Sequence, residues 1–507
     1  MPQCPCGACI GQATSTHFHI TGGSYGHATT VDVLPDSILL EIFGFILRLS
    51  GYHCFGSNYP LWKWHRLVHV CRRWRQIIFS SPLRLDLQLL CTFGTPVKKC
   101  LSCWPAFPLV IDYGYIQNRN ITPEDEDNIF AALEQRDRVR HIDLGVWSLL
   151  MAYLFAVMDE PFPALTHLLL SCPDEKIKDD DGLVIPNEFL GGSAPRLHEI
   201  SLNNIPFPAI PAFLSSASNL VKLQLQDVPR TPFPSPEEMV ACLVALTRLE
   251  NISIEFQIGF PSELPNAHPN LIRVPSKTWI ILPAVASFLY KGDSGYLEDF
   301  VSRINTPLLK SIDIKYLDED FDHPVAELIK LIKRSILQSS RFRFARILFE
   351  GGKTTLLLSQ TNPNECAIAI RISTWGAVGA QVVDMTRMLS QVPAMISNVV
   401  RLDIEKSSPW GYENATVHNI AAMEPIDHAR IRWLELFHPF IAVKTLGISS
   451  KFTESVARAF EELTVEAITQ VLPALELLDL GGDPFMKKIA DTFQASGRTL
   501  NDVGVER

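Results

Sequence analysis

The sequence has no apolar run long enough to span a membrane and no excess of positive charge. Its longest apolar stretch, Trp147 to Met158, ends at Asp159 and is well short of the roughly 20 residues that a bilayer requires. The chain has 45 Lys and Arg residues against 55 Asp and Glu residues, a formal net charge of −10. We therefore expect no membrane insertion and no general binding of nucleic acid, because phosphate recognition depends on a basic surface.

The sequence also lacks the pattern of a secretory signal. Its first residues, MPQCPCGACIGQ, contain neither a basic segment nor an apolar one. We expect a cytoplasmic or nuclear protein whose cysteines stay reduced. Hydrophobic residues make up 47% of the 507 positions and the mean hydropathy is +0.12, which excludes a disordered chain. This length is sufficient for several domains or one long repeat array.

The 11 cysteines do not complete a metal-binding motif. Cys100 and Cys103 form a CxxC pair, which supplies half of a tetrahedral zinc site. No second CxxC or HxxxH stands at the spacing of a zinc finger. A second set of possible ligands lies near the N-terminus: Cys4, Cys6, Cys9, His17 and His19. We favour reduced structural cysteines over zinc ligands, and we predict no metal and no other cofactor.

Two short helical patterns follow residues 1–28, a segment rich in Gly, Thr, Ser and His that predicts a flexible tail. The first begins at Pro35, which is tolerated at the first helical position because its missing N–H is not needed there. Its apolar residues predict one broad face: Ile38, Leu39, Ile42, Phe43 and Ile46. The second pattern predicts a helix from about Leu61 to Phe79. Two such helices bury too little surface to be stable alone, so a covering partner is expected.

These residues resemble an F-box, the short helical motif that binds the Skp adaptor of cullin-RING ubiquitin ligases. The resemblance rests on Leu34-Pro35, on Ile42-Phe43 and on the sequence VCRRWR at 70–75, which occur in this order between residues 31 and 86. It implies a three-helix module whose side chains bind the adaptor. The residues implied in this contact are Leu34, Pro35, Ile38, Leu39, Ile42, Phe43, Leu67, Val70, Cys71 and Trp74.

Two departures from the F-box pattern bear on this prediction. Ser37 stands where an acidic residue is usual, and the loop from Leu49 to Pro60 is longer than usual. A longer loop would shift the helices apart and weaken adaptor binding. The alternative is that the helices only cap the rest of the chain, as the end of a repeat scaffold with no role in a ligase.

A second pattern recurs after residue 138: an apolar residue, two others, an apolar residue, one other, and a third apolar residue. It occurs at 139–144, 165–170, 197–202, 220–225, 249–254, 285–290, 309–314, 344–349, 367–372, 399–404, 443–448 and 475–480. In a chain this apolar the pattern alone is weak evidence. Stronger evidence is a Pro two residues before several of these segments, as in Pro163, Pro195 and Pro473. Each such lead-in resembles the turn into the strand of a leucine-rich repeat.

The pattern departs from regular leucine-rich repeats in two respects. The residue three positions after each segment, usually Asn or Cys, is Pro173, Ile205 or Val228 in the first clear cases, and the spacing between segments varies from 23 to 44 residues. We therefore predict an irregular solenoid with variable helices or loops on its outer side, near 237–246, 323–339 and 453–472. The sequences at 296–299, 306–310 and 440–446 also resemble F-box proteins expanded in mushroom-forming fungi.

Three short motifs suggest catalysis or ligand binding, but none is complete. Gly292-Asp293-Ser294-Gly295 matches the nucleophile segment of trypsin-like proteases, yet no histidine motif accompanies it, and a turn before a helix is the simpler interpretation. The sequence GGKT at 351–354 lacks the first glycine of a phosphate loop. The sequence DDDG at 179–182 lacks the spaced oxygens and the closing Glu of a calcium loop. We predict that the chain is not an enzyme.

The predicted fold is α/β, with a small N-terminal helical F-box followed by an irregular leucine-rich-repeat-like solenoid. The predicted segments are a tail at 1–28, the F-box at 29–90, a connector at 91–135, the solenoid at 136–482 and a C-terminal tail at 483–507. The predicted function is the substrate-recognition subunit of a Skp-cullin-F-box ubiquitin ligase. Its partners would be the Skp-type adaptor, through it the cullin-RING ligase, and a target protein that the sequence does not identify.

Overall fold

The structure, a computed structural model, describes most of the chain. The described residues are 33–49, 63–114, 120–173, 183–206, 212–229, 233–257, 279–317, 325–335, 337, 342–350, 352–362, 365–373, 378–406, 432–461, 463, 465–479, 484–498 and 500–502. Within the chain there are two compact units. Unit 1 comprises Met1–Pro206 and Pro211–Leu220, and unit 2 comprises Phe207–Ile210 and Val221–Arg507.

Unit 1 is a mixed α/β structure. Its helices are α1 (Asp36–Leu49), α2 (Lys63–Val68), α3 (Arg72–Ser80), α4 (Val97–Cys103), α5 (Pro123–Leu133), α6 (Ser148–Val157) and α7 (Ala212–Ser216). Its strands are β1 (Leu89–Cys91), β2 (Leu109–Tyr113), β3 (Val139–Gly145), β4 (His167–Ser171) and β5 (Glu199–Asn203). These strands pair in parallel and in chain order. β2 lies in the segment that the sequence predicts as a connector (91–135), and β1 spans the predicted boundary between the F-box segment (29–90) and this connector.

Unit 2 is also mixed α/β, with a larger and mostly parallel sheet. Its helices are α8 (Pro236–Leu243), α9 (Ser294–Ser302), α10 (Ala326–Arg334), α11 (Val378–Gln391), α12 (Pro393–Ile396), α13 (Trp433–Phe437), α14 (Thr453–Glu461), α15 (Val465–Gln470) and α16 (Pro484–Ala495). Its strands are β6 (Lys222–Val228), β7 (Asn251–Phe256), β8 (Ile280–Ile281), β9 (Ser287–Gly292), β10 (Ile304–Asn305), β11 (Ser311–Tyr316), β12 (Phe344–Glu350), β13 (Lys353–Ser359), β14 (Ile368–Ser373), β15 (Arg401–Lys406), β16 (Thr445–Ile448), β17 (Leu477–Asp479) and β18 (Asn501–Asp502).

The strands of unit 2 follow chain order except at one place. The order of the main sheet is β6-β7-β9-β11-β14-β13-β12-β15-β16-β17-β18, and β8 and β10 form a separate parallel pair. β13 runs antiparallel to both β12 and β14. The sequence did not predict β13 or this reversal, because the recurring apolar pattern marks strands without indicating which strand is the neighbour.

All twelve recurring segments fall on strands, and the expected α/β class is confirmed. In β11 the burial alternates strictly, with Ile312, Ile314 and Tyr316 inside, as expected for a strand with one solvent-facing side. In β12 the recurring pattern has Phe344, Ile347 and Phe349 as its three apolar positions. Ile347 and Phe349 are buried as expected, but Phe344 is only half-buried and Ala345 is buried instead. Leu480, the last residue of the last segment, lies outside the described residues.

Local sequence explains where several helices begin. Thr122 and Pro123 start α5, with Thr122 and Asp125 forming a capping box, and Ser235, Pro236 and Glu238 start α8 in the same way. Both follow the usual preference for a hydroxyl cap, a first-turn proline and an acidic third residue. Helices also lie in the three regions predicted for the outer side, as α8, α10 and the pair α14 and α15.

Two buried polar side chains tie neighbouring segments together. In unit 2 the carboxylate of Glu298 accepts hydrogen bonds from the backbone N–H groups of Glu327 and Leu328, at 2.8 and 3.2 Å, at the start of α10. In unit 1 the Asn204 side chain donates to the carbonyl oxygen of Cys172 at 2.9 Å. Asn204 stands one position before Ile205, the residue at which the sequence pattern lacks an Asn or Cys. Among the described residues no helix combines the length and the apolarity needed to cross a membrane.

Candidate functional site

Helix α1 has one buried side and one exposed apolar side. Leu39 and Phe43 are buried, whereas the Ile38, Ile42 and Phe45 side chains are 46%, 39% and 58% exposed. The exposed three stand at i, i+4 and i+7, which places them in one row along a helix. We call this row the α1 outer face. The broad apolar face expected from the sequence is therefore only partly packed: Leu39 and Phe43 are buried, whereas Ile38, Ile42 and Ile46 are exposed.

The buried side of α1 packs against α3. The rings of Phe43 and Trp74 have centroids 4.7 Å apart at an interplanar angle of 56°, and Ile77 and Ile78 of α3 are buried. Such aromatic contacts add to the stabilisation that comes from burial. The inner side chains thus hold α1 in a fixed orientation and leave its outer face accessible.

A charged contact fixes the start of α1. Arg73 on α3 donates from Nη2 to the carbonyl oxygen of Leu34 at 2.5 Å and to Oδ1 of Asp36 at 2.6 Å. An exposed ion pair alone contributes about 0 to 1 kcal/mol to the stability of a protein. The Arg73 guanidinium also provides a hydrogen-bond donor for the carbonyl oxygen of Leu34. A cleft of about 360 Å³ lies beside the contact, and its lining includes Ser37 of α1, Gln76 of α3 and Arg84, which follows α3.

The predicted helix from Leu61 to Phe79 is wrong, since α2 and α3 are separate. Cys71 between them is extended (φ −156°, ψ 172°), and its Sγ accepts a hydrogen bond from the backbone N–H of Trp74 at 3.4 Å. Arg75 donates from Nε to the carbonyl oxygen of Val68 at 3.0 Å, which satisfies the end of α2. The apolar periodicity of the sequence continues through Cys71, so the sequence pattern does not show that the helix is interrupted there. The result is three helices, as the F-box resemblance implies.

An aromatic cluster connects α2 and α3 with the chain after α4. Trp64 lies 5.5 Å from Trp104 and 5.3 Å from Phe107 between ring centroids, and Phe79 lies 5.8 Å from Trp104. The indole N–H of Trp64 also donates to the carbonyl oxygen of Gln88 at 3.1 Å. The sequence does not indicate this cluster, because nothing in the spacing of its residues points to a contact across about 40 positions.

The structure divides the ten implied adaptor-binding residues into three groups. Pro35, Ile38, Ile42, Val70 and Cys71 are exposed, Leu34, Leu67 and Trp74 are half-buried, and Leu39 and Phe43 are buried. Phe45, which is outside this predicted set, belongs to the exposed row through its spacing from Ile38. The loop predicted from Leu49 to Pro60 lies, apart from the backbone of Leu49, outside the described residues.

A second exposed apolar group in unit 1 lies on α6. Trp147 precedes this helix and is 55% exposed, and Leu149 and Tyr153 stand four residues apart and are 71% and 60% exposed. No recognised motif includes these residues. They offer a matched control for any test of the α1 outer face.

The solvent-facing side of the unit 1 sheet carries half-buried titratable groups. His141 and His167 are in register on neighbouring strands with ring centroids 5.3 Å apart, and Glu199 follows in register on β5. Burial, reinforced by His167, lowers the pKa of His141. Burial, with the neighbouring carboxylates of Asp112 and Glu199, raises the pKa of Asp143 to about 6. The fold therefore disfavours charge at these positions.

The short motifs that suggest catalysis or metal binding in the sequence have structural positions in the fold. Asp293 is the N-cap of α9 and accepts from the backbone N–H of Tyr296 at 2.7 Å, and Ser294 is fully buried, so this segment is the turn that begins a helix. Cys100 is buried and Cys103 is exposed on α4. In the part of the chain that the structure describes, no group of three or more His, Cys, Asp or Glu side chains is arranged to hold a metal ion. Residues 179–182 and the N-terminal cysteines and histidines lie outside that part.

No protein-family model matches this chain, and no curated protein matches it.

Proposed function

We propose that this chain is the substrate receptor of a Skp-cullin-F-box ubiquitin ligase. The observation that carries the proposal is the α1 outer face: Ile38, Ile42 and Phe45 remain exposed on a helix whose opposite side is packed. This helix lies in the segment that resembles an F-box. Apolar rows of this kind mark protein interaction sites, and burying each side chain would contribute about 1 to 2 kcal/mol.

In this proposal the strands after residue 138 form the irregular leucine-rich-repeat-like solenoid and hold a target protein. The parallel strands, in chain order over most of each unit, support this assignment. The chain itself contributes proximity rather than chemistry, because the F-box resemblance implies that cullin and RING subunits bring the charged ubiquitin-conjugating enzyme near the target. Proximity raises the effective concentration of the reacting groups.

A second candidate function is a repeat scaffold whose three helices only cap the sheet of unit 1. The cluster of Trp64, Phe79, Trp104 and Phe107 favours it, because it attaches α2 and α3 to the segment leading into β2. A capping role needs this attachment but needs no exposed apolar row. The scaffold would be monodisperse and stable without an adaptor.

The deciding experiment is co-purification of the full chain with a Skp-type adaptor. We expect a 1:1 complex, weakened at least tenfold in the double variant Ile38→Asp, Phe45→Asp, because the loss of two apolar contacts exceeds the 1.4 kcal/mol that corresponds to a factor of ten. The control is Leu149→Asp, Tyr153→Asp on α6, which introduces the same charges on an equally exposed helix of the same unit. Absence of a complex with the unmodified chain would overturn the proposal. So would undiminished binding by the α1 variant, with circular dichroism showing both variants folded.

A further inference from the structure

A polar cavity of about 280 Å³ opens on the solvent-facing side of the unit 2 sheet. It crosses three neighbouring parallel strands, where Asp403 on β15, Gly447 on β16 and Asp479 on β17 are in register. Neighbouring strands are about 4.8 Å apart, so the backbones of the two aspartates are roughly 10 Å apart with the glycine between them. Ser449 and Ser450 line the same space. We call it the Gly447 cavity.

Gly447 keeps the space between the two aspartates open. Its φ is not in the left-handed region, so the backbone conformation does not require a glycine here. A Cβ at this position would lie 2.6 Å from Oδ1 of Asp403. Any side chain at position 447 would therefore displace the Asp403 carboxylate and fill the gap in the row. The glycine leaves room for a side chain from another molecule.

Two of the three carboxylates that line the cavity are already paired. Nε of Arg401 donates to both carboxylate oxygens of Asp403 at 3.0 Å, and Nε of Arg346 lies 3.1 Å from Oε1 of Glu405. The third carboxylate, on Asp479, has no basic side chain of the described residues within ion-pair distance. The lining thus carries three negative charges against two positive ones.

No lysine of the described residues lines the cavity. Lys406 and Lys451 adjoin lining residues in the chain, but neither contributes to the lining. Asp479 is half-buried, so solvent screens its charge less than that of a fully exposed carboxylate. The pKa of Arg401 is raised, mainly by its hydrogen bond to Asp403 and further by the charge of Asp479. The Gly447 cavity therefore favours one additional positive charge.

The chemistry of the lining selects among the possible occupants. The excess carboxylate would repel a phosphate or another anion. Among the described residues no group of His, Cys, Asp and Glu side chains is arranged to hold a metal ion. An arginine side chain fits, because its planar guanidinium can donate to both oxygens of Asp479 and, from its other edge, to a hydroxyl of Ser449 or Ser450.

We propose that the Gly447 cavity holds an arginine side chain of the target protein, whose guanidinium lies over Gly447 and pairs with Asp479. One remaining carboxylate matches one guanidinium, and the gap at the glycine lies beside that carboxylate. The identification of the arginine as part of a ligase target rests on the proposed function; the binding of arginine does not.

Binding of a capped arginine by the full chain tests this inference. The probe is N-acetyl-arginine methylamide, and the reference is N-acetyl-citrulline methylamide, which has nearly the same shape without the charge. Saturation-transfer NMR measures both at constant ionic strength. We expect the arginine compound to bind at least about tenfold more tightly, because only it forms a charge-assisted hydrogen bond. Asp479→Asn should lose that difference.

Two further variants sharpen the test. The control Asp491→Asn removes the same charge from an exposed position on α16 in the same unit and should bind as the unmodified chain does. Gly447→Ala fills the gap without removing a charge, so it should weaken arginine binding at least about tenfold. Thermal unfolding shows whether each variant is folded.

Equal binding of the arginine and citrulline compounds would overturn the inference. So would an equal loss in Asp479→Asn and Asp491→Asn, or undiminished binding by folded Gly447→Ala. Adaptor co-purification, measured on the same variants, separates this inference from the proposed function. Loss of arginine binding with the adaptor complex intact in Asp479→Asn supports the inference. If the unmodified chain binds the adaptor but not arginine, only the inference fails; if it binds arginine but not the adaptor, only the ligase function fails.

Discussion

The Phe43 ring on α1 packs against the Trp74 indole on α3, with centroids 4.7 Å apart, although both residues belong to the set that the F-box resemblance assigns to the adaptor. Phe43 is fully buried. Its side chain therefore stabilises the helices directly, and in the proposed function it would affect adaptor binding only by keeping α1 in place. Replacing Phe43 or Trp74 would test folding and binding together, whereas replacing exposed residues of the α1 outer face tests binding with little effect on folding.

Phe43→Ala should destabilise the packing of α1 by about 3 to 5 kcal/mol, the usual effect of removing a buried phenyl ring. Ile42→Ala, one position earlier on the exposed side, should change the same free energy by less than about 1 kcal/mol. Amide hydrogen exchange across residues 36–49, followed by mass spectrometry, measures this local stability. Equal loss of protection in the two variants would contradict the assignment of buried and exposed sides.

Replacing each of the two glycines of the sequence GDSG by alanine should have different effects on the stability of unit 2. A Cβ at Gly292 would lie 2.5 Å from Oη of Tyr290 and 2.7 Å from Cδ2 of Phe256, so Gly292→Ala should destabilise unit 2 by about 1 to 3 kcal/mol through overpacking. A Cβ at Gly295 meets only Oδ1 of Asp293, at 3.5 Å. Gly295→Ala, in the first turn of α9, should be neutral or stabilising by up to about 1 kcal/mol. Thermal unfolding of the two variants checks this, and equal midpoints would refute it.

The stability of unit 1 should depend on the charge of Asp143. The pKa of this carboxyl is raised to about 6 in the fold. Its contribution to the free energy of unfolding is therefore fully present below the pKa of the unfolded chain, near 4, and is lost as the pH rises through 6. Asp143→Asn should therefore stabilise unit 1 by about 1 to 3 kcal/mol at pH 8 and have little effect at pH 3.5.

Urea unfolding at the two pH values, with Asp159→Asn as the exposed control, measures the effect. The control should show no gain at either pH. A gain for Asp143→Asn that is the same at pH 3.5 and pH 8 would mean that the carboxylate is not disfavoured by the fold.

The sequence alone determined the positions of most strands and the existence of the N-terminal helices. Alternation of apolar and polar residues reports directly which side of a strand faces the core, so Ile312 and Ile314, for example, could be assigned before any coordinates. Capping residues such as Thr122 and Ser235 likewise act within one turn of their own helix. Both features depend only on residues that are close together in the chain, so they can be recognised in the sequence.

Only the tertiary structure decided which residues meet. The break at Cys71, the burial of Phe43 beside the exposed Ile42, and the reversal that places β14 next to β11 all depend on contacts between segments far apart in the chain. The row of Lys291, Lys315 and Arg371 on the unit 2 sheet has the same origin, since these three residues are spread over 80 positions and are aligned by strand register alone. Burial and register are collective results of packing, and for that reason no short pattern of residues encodes them.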